Sequence, residues 1–204
     1  MSLIKICGLR RQADIDMCNE GKPDFIGFVM APGRRQISPL IAAALKARLS
    51  REIKAVGVFV NDVPQVIAEM AEAGTIDLIQ LHGDEDTEYI AALRELTEKP
   101  IIKAVRIKDG SELAAASKLP CDYLLLDTYH PDTYGGSGQT FDWSVIKDID
   151  KPFFLAGGLT PDNIAEAAET AEPYALDISS GVEKEGMKDR ELVLRAIAAV
   201  RSGS

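Results

Sequence analysis

The chain is poor in histidine and cysteine and short of positive charge, and each shortage closes off a class of function. Its two histidines, His82 and His130, lie far apart in sequence, so a dedicated zinc site is not expected. The three cysteines, Cys7, Cys18 and Cys121, are an odd number and form no CxxC pair. A disulfide framework is therefore not expected, and a reducing, cytoplasmic setting fits best. Lysine and arginine total 23 against 32 acidic residues, a net charge of −9. Nucleic acids and anionic membranes need a basic face, so neither is an expected partner. A few local donors can still hold a small anion against that global field. No apolar run approaches the roughly 20 residues of a spanning helix. The opening MSLIKICG has no charged segment leading into a long apolar one, so no signal peptide is expected.

What the chain does have is a core-sized apolar content, 46% of 204 residues, enough for one substantial domain. The apolar residues fall into eight short runs: LIKIC (3–7), DFIGFVM (24–30), IKAVGVFV (53–60), IDLIQL (76–81), PIIKAV (100–105), DYLLLD (122–127), PFFLAG (152–157) and YALDIS (174–179). They are continuous rather than alternating, as strands covered on both faces are. Helical stretches lie between them. Ser38 with Pro39 opens one, and Thr160 with Pro161 repeats that start. Asp62 is the expected cap of another, whose Val63, Val66, Ile67, Met70 and Ala71 share a face. The last places Val193, Ala196, Ile197 and Val200 on one side. The sixth connection is the exception, a long Gly-rich loop before a short helix. Eight strands alternating with eight helices imply right-handed βαβ units. An open doubly wound sheet is possible, but a closed (β/α)8 barrel of the TIM type explains the count better. A single domain spanning 1–204 is expected, since no composition shift marks a boundary.

In such a barrel the functional groups sit at the C-terminal ends of the strands. Reading those ends gives Cys7, the Pro32–Arg35 segment, Asn61, His82, Arg106, Asp127, Gly157–Gly158 and Ser179–Gly181. The set lacks a cluster of carboxylates and histidines for a metal. Asp127, at the end of a buried run, is either a cap or ion-pair partner, or a group with a task. Cys7 is either a small core filler or a reactive thiol. Lys5 is two residues away on the same side of the strand and would favour its thiolate. Cys18 and Cys121 read as inert. AGGLTPDN (156–163) and ISSGVEKEG (178–186) are glycine turns of the kind whose backbone N–H groups bind phosphate after the seventh and eighth strands. Arg34 and Arg35 read either as a solvated pair or as a bidentate carboxylate site. The loop YGGSGQTFDW (134–143) reads as a lid; it is not a nucleotide fingerprint.

In order along the chain, KICG (5–8), GF…RRQIS (27–38), VGVFVN (56–61), QLHGDE (80–85), LLLDT (124–128), GGSGQTFDW (135–143), LAGGLTPDN (155–163) and DISSGVE (177–183) together resemble the phosphoribosylanthranilate isomerases of tryptophan biosynthesis. The resemblance implies a (β/α)8 barrel that uses no metal and no organic cofactor. The implied reaction is the Amadori rearrangement of N-(5-phosphoribosyl)anthranilate to the 1-deoxyribulose isomer. It implies Cys7 as general base and Asp127 as general acid. It sets the substrate phosphate against Gly157, Gly158, Ser180 and Gly181, and the anthranilate carboxylate against Arg35, with Arg34 as the alternative. Gln80, His82 and Asp177 are expected to line the pocket with no assigned proton transfer. The implied partner is a small phosphosugar, and the chain is expected to be a monomer or a homodimer. Two rivals remain. One is the histidine-pathway isomerase, which runs the same rearrangement with two aspartates where this chain has Cys7 first. The other is a non-catalytic phosphosugar-binding barrel, which would have no need of Cys7 and Asp127 together.

Overall fold

The computed structural model describes residues 2–128, 142–146 and 149–202. The first half alternates β1 (Leu3–Cys7), α1 (Gln12–Gly21), β2 (Phe25–Val29), α2 (Pro39–Lys46), β3 (Lys54–Phe59), α3 (Pro64–Glu72), β4 (Leu78–Leu81) and α4 (Thr87–Arg94). The second half continues with β5 (Ile101–Ile107), α5 (Leu113–Ala116), β6 (Tyr123–Thr128), β7 (Phe153–Leu155), α6 (Ile164–Ala171), β8 (Ala175–Ile178) and α7 (Arg190–Ser202). Strands β1 to β8 pair in order, all parallel, and β8 closes on β1 with Lys5 level with Asp177. The chain is thus a closed (β/α)8 barrel.

The two-residue period of the strands sorts the side chains. Ile4, Ile6, Ile26, Phe28, Leu124 and Leu126 point outward into the layer under the helices. Phe25, Val56, Leu78, Ile102, Leu125, Phe154 and Ala175 point inward and plug the N-terminal half of the barrel. Phe25 and Phe154 meet edge to face there, ring centres 5.4 Å apart. One step further along the same inward rows the residues turn polar: Lys5 and Cys7, Gln80, Asp127, Asp177. An apolar floor and a polar roof in one barrel place the chemistry at the C-terminal mouth.

Local sequence explains some of the helix starts, and the structure corrects three of the expectations. Ser38 caps α2 as expected, accepting a hydrogen bond from the Ile41 N–H, with Pro39 in the first turn. Asp62 does not cap α3. Its carboxylate accepts from the adjacent Val63 N–H, Val63 stands at the cap position, and Val63 and Val66 are largely exposed. Thr160–Pro161 does not open α6 directly. The Asn163 side chain accepts from the Thr160 N–H at 2.7 Å and donates to the Gly158 carbonyl at 3.1 Å, so the chain turns before the helix begins at Ile164. The helix of the sixth connection is a single 3-10 turn, Trp143–Val145. Among the described residues there are therefore seven α-helices rather than eight. After β8 the chain forms a small antiparallel pair, β9 (Glu183–Lys184) and β10 (Met187–Lys188), that the sequence reading does not contain. Glu185 and Gly186 both take positive φ, the backbone of a tight hairpin turn.

Candidate active site

The mouth of the barrel opens into a cavity of about 660 Å3, within the usual range for a small-molecule site. Cys7, Arg35, Gln80, His82, Asp127, Gly157, Gly158, Asp177 and Ser180 all line it. Gly181, expected in the same turn, is not among the lining residues.

Cys7 reaches the cavity because its neighbour on β2 has no side chain. A Cβ at Gly27 would lie 2.6 Å from the Cys7 sulfur. Gly8, with φ +85°, lets the chain leave β1 and allows Arg35 to lie across it; a Cβ there would meet Arg35 Cδ at 2.5 Å. Lys5, two residues back on the same face, is completely buried. Its ammonium donates to Asp177 Oδ2 and to Gln80 Oε1, both at 2.8 Å. Burial is the largest single influence and pushes Lys5 down, but the Asp177 carboxylate and Cys7 together outweigh it and the net direction is upward. Burial also pushes the Cys7 thiol up. Lys5 is the strongest influence the other way, Lys188 adds to it, and Asp177 opposes both. Lys5 thus favours the thiolate, as its position on the strand suggests, but desolvation wins and the net direction is upward.

Asp127 is the penultimate residue of β6 and is 5% exposed. Its Oδ1 accepts the Thr128 N–H at 2.8 Å, and its Oδ2 lies 3.4 Å from His82 Nε2. His82 Nδ1 in turn lies 2.8 Å from Gln80 Nε2. Asp177 Oδ1 is buried and has no hydrogen-bond partner, which leaves an acceptor in the wall of the cavity.

Arg35 is paired as it enters the cavity. Glu183 takes its Nε–Nη2 edge at 2.7 and 3.0 Å, and Glu183 also accepts from Lys188 at 2.8 Å and from the exposed Arg34 at 2.9 Å. Burial would raise Glu183, but Arg35 and Lys188 outweigh it and hold the carboxyl down at about 2. Lys188 is pushed down by its own burial, which Glu183 only partly offsets.

The remaining wall is two turns in contact. Gly157 and Gly158 have φ of +90° and +64°. A Cβ on Gly157 would sit 2.2 Å from Thr128 Oγ1, and one on Gly181 would sit 1.9 Å from the Leu159 carbonyl oxygen. Only glycine lets these turns close on each other without a side chain in the way. Among the described residues no group of three or more His, Cys, Asp and Glu is placed to hold a metal ion. His130 and all of the Gly-rich loop except Asp142 and Trp143 lie outside the described residues.

A family model for N-(5'-phosphoribosyl)anthranilate (PRA) isomerase matches residues 4–199. The chain belongs to that family. It is 48% identical over 202 residues to the N-(5'-phosphoribosyl)anthranilate isomerase of Endomicrobium trichonymphae, covering 99% of this chain and 100% of the relative. It is 45% identical to the enzyme of Lachnoclostridium phytofermentans, over 93% of each chain. Among solved structures, the phosphoribosyl anthranilate isomerase of Thermotoga maritima superimposes with a TM-score of 0.90 at 35% identity, covering 99% of this chain and 100% of that one. A phosphoribosyl anthranilate isomerase solved in complex with reduced 1-(o-carboxyphenylamino)-1-deoxyribulose 5-phosphate matches with a TM-score of 0.87 at 33% identity, again over 99% and 100% of the two chains.

The sequence does not reveal the charged groups that stand behind the cavity wall. Glu183 falls inside the DISSGVE motif but carries no role there, and Lys188 falls outside every motif. Both become visible once the β9–β10 hairpin folds back over Arg35. The Lys103–Glu85 pair is equally hidden. Lys103 donates to Glu85 at 2.8 Å and to the Gly83 carbonyl at 2.7 Å, and Glu85 also accepts the Asn61 and Gly83 N–H groups. This pair pins the loops after β3 and β4, and so sets the approach of His82.

Proposed function

We propose that this cavity isomerises N-(5'-phosphoribosyl)anthranilate to 1-(2-carboxyphenylamino)-1-deoxyribulose 5-phosphate by general acid–base chemistry. The observation that carries the reading is that a thiol and a carboxyl group, on strands far apart in sequence, line one cavity together with Gly157, Gly158 and Ser180 of the two late turns. Cys7 is the base and Asp127 the acid. The carboxylic acid gives its proton to the ring oxygen as the C1–O bond breaks, and the anilino nitrogen's lone pair forms the Schiff base. The thiolate then takes the C2 proton, giving an enolamine that becomes the ketone as C1 gains a proton and the C2 hydroxyl loses one. Acid and base must be kept in separate environments for this, one holding its proton and the other losing it.

The phosphate lies against Gly157, Gly158, Ser180 and Gly181, where backbone N–H groups supply donors without adding net charge. Arg35 keeps Glu183 on one edge of its guanidinium and offers the Nη1–Nη2 edge to the anthranilate carboxylate. Glu183 then serves to aim Arg35. Asp177 Oδ1 is the acceptor for a sugar hydroxyl. The working unit in this reading is the single barrel domain, 1–204, acting in the cytoplasm. Among the described residues no helix is long and apolar enough to cross a membrane.

Turnover tests the assignment directly. Loss of substrate fluorescence on mixing with freshly made phosphoribosylanthranilate reports conversion. Cys7→Ala and Asp127→Ala should each reduce turnover by about a hundredfold or more, with the fold retained by circular dichroism. Near-normal turnover in either variant removes that residue's role, and saturation without product in the native chain would make it a binder.

A further inference from the structure

A line of hydrogen-bonding groups crosses the cavity wall from Lys5 to Asp127, and donors and acceptors along it can be assigned in only one order. Lys5 is a protonated amine, three donors and no acceptor. The Gln80 atom 2.8 Å from it must therefore be the amide oxygen, because the amide nitrogen would set donor against donor. Gln80 is 1% exposed, so no solvent competes for either end of its amide. With the oxygen committed to Lys5, the amide nitrogen faces His82 Nδ1 at 2.8 Å. An amide nitrogen only donates, so Nδ1 must hold a lone pair. A neutral imidazole with a bare Nδ1 carries its proton on Nε2. That nitrogen is the one 3.4 Å from Asp127 Oδ2.

We propose that the buried ammonium of Lys5, acting through the Gln80 amide, fixes His82 as the neutral tautomer that presents its Nε2–H to Asp127. Lys5 and Gln80 are positioning residues in this arrangement, and neither spends a polar group on substrate. Asp177 holds the near end, taking the same ammonium at 2.8 Å. The consequence rests on the reading of Asp127 as the acid. An imidazolium beside the carboxyl group would hold it ionised and unable to deliver a proton. A neutral N–H faces the carboxyl without adding a positive charge, and it steadies the carboxylate left after proton delivery. Gln80 excludes the charged ring, since a proton on Nδ1 would point at the amide's own N–H.

The test is the nitrogen NMR spectrum of the two imidazoles in uniformly labelled protein at neutral pH, with His130→Gln to assign them. The proposal expects His82 Nδ1 to resonate as an unprotonated nitrogen and Nε2 as a protonated one. In Gln80→Glu the new carboxylate accepts from both neighbours, so Nδ1 should move to the protonated position. In the same variant kcat should fall roughly tenfold, part of what acid–base catalysis contributes, with KM little changed. Lys5→Met removes the polarity of the whole line and should blur the tautomer preference. Should that variant fail to fold, Gln80→Glu decides alone. A protonated Nδ1 in the native chain overturns the proposal, as does an Nδ1 that stays bare in Gln80→Glu. A raised KM with unchanged kcat also overturns it, because that would make Gln80 a substrate ligand. The tautomer is read without turnover, so these outcomes stand apart from a failure of Asp127 as the acid.

Discussion

At Cys7 desolvation and charge pull in opposite directions, and the structure ranks them. Full burial favours the neutral thiol, while Lys5 and, more weakly, Lys188 favour the thiolate. Because burial dominates, alkylation of Cys7 in the ligand-free protein should show a pH midpoint above that of an ordinary free thiol, and Lys5→Met should move it further up. Mass spectrometry of the Cys7 peptide after timed iodoacetamide exposure reads this directly. A midpoint below the ordinary thiol range would mean that the charges win. The scarcity of ionised thiol has a compensation, since a thiolate formed against desolvation is the stronger base. Single residues at strand ends were the most legible part of the site. Strand-end position puts Cys7 and Asp127 at the mouth but leaves a core filler and a cap or ion-pair partner as open alternatives, and the family resemblance supplies the roles. Glu183 and Lys188 do not stand out, because charged residues in a polar turn look like any solvated surface. Their burial is created by the hairpin, which no periodicity announces.

The elements carry the site through glycine. Gly181→Ala would drive a Cβ into the Leu159 carbonyl, a backbone atom that cannot swing away. The variant should lose about 1–3 kcal/mol of stability, measured by urea unfolding, and should bind inorganic phosphate more weakly than the native chain. Helix caps offer a graded comparison. Asp86 accepts the Tyr89 N–H at 2.8 Å, whereas Ser38 reaches the Ile41 N–H only at 3.3 Å. Asp86→Ala should therefore cost about 1 kcal/mol, the typical capping value, and Ser38→Ala nearer about 0.5, the low end of the range. All eight barrel strands fall within the apolar runs or within two residues of them, because a strand buried on both faces leaves an unbroken signature. Helix starts were harder. Asp62 and Thr160 have the right chemistry for caps, but the adjacent Val63 N–H occupies the Asp62 carboxylate and the Asp162 N–H occupies the Thr160 hydroxyl.

For the whole molecule, the barrel separates stability from chemistry along its axis. The apolar plug of Phe25, Leu125 and Phe154 fills the N-terminal half, and buried charges gather at the mouth. Buried ion pairs tie stability to pH. Glu183 titrates at about 2 when folded, against an ordinary 4.5. Between those values the unfolded chain binds a proton at this site that the folded chain does not, so stability falls as the pH drops through that window. Glu183→Gln should flatten the pH dependence of unfolding free energy there by up to one proton, as read by denaturant titrations at stepped pH. The central claim is that thiol and carboxyl act on one sugar from two sides. A crystal structure of this chain with reduced 1-(o-carboxyphenylamino)-1-deoxyribulose 5-phosphate tests it most directly. The account predicts the phosphate on the turns at Gly157–Gly158 and Ser180–Gly181, the Cys7 sulfur on one side of the sugar's C2, and an Asp127 oxygen within hydrogen-bond reach of the former ring oxygen, about 3 Å. An analogue seated with its C2 turned away from Cys7, or with Asp127 out of contact, would contradict it.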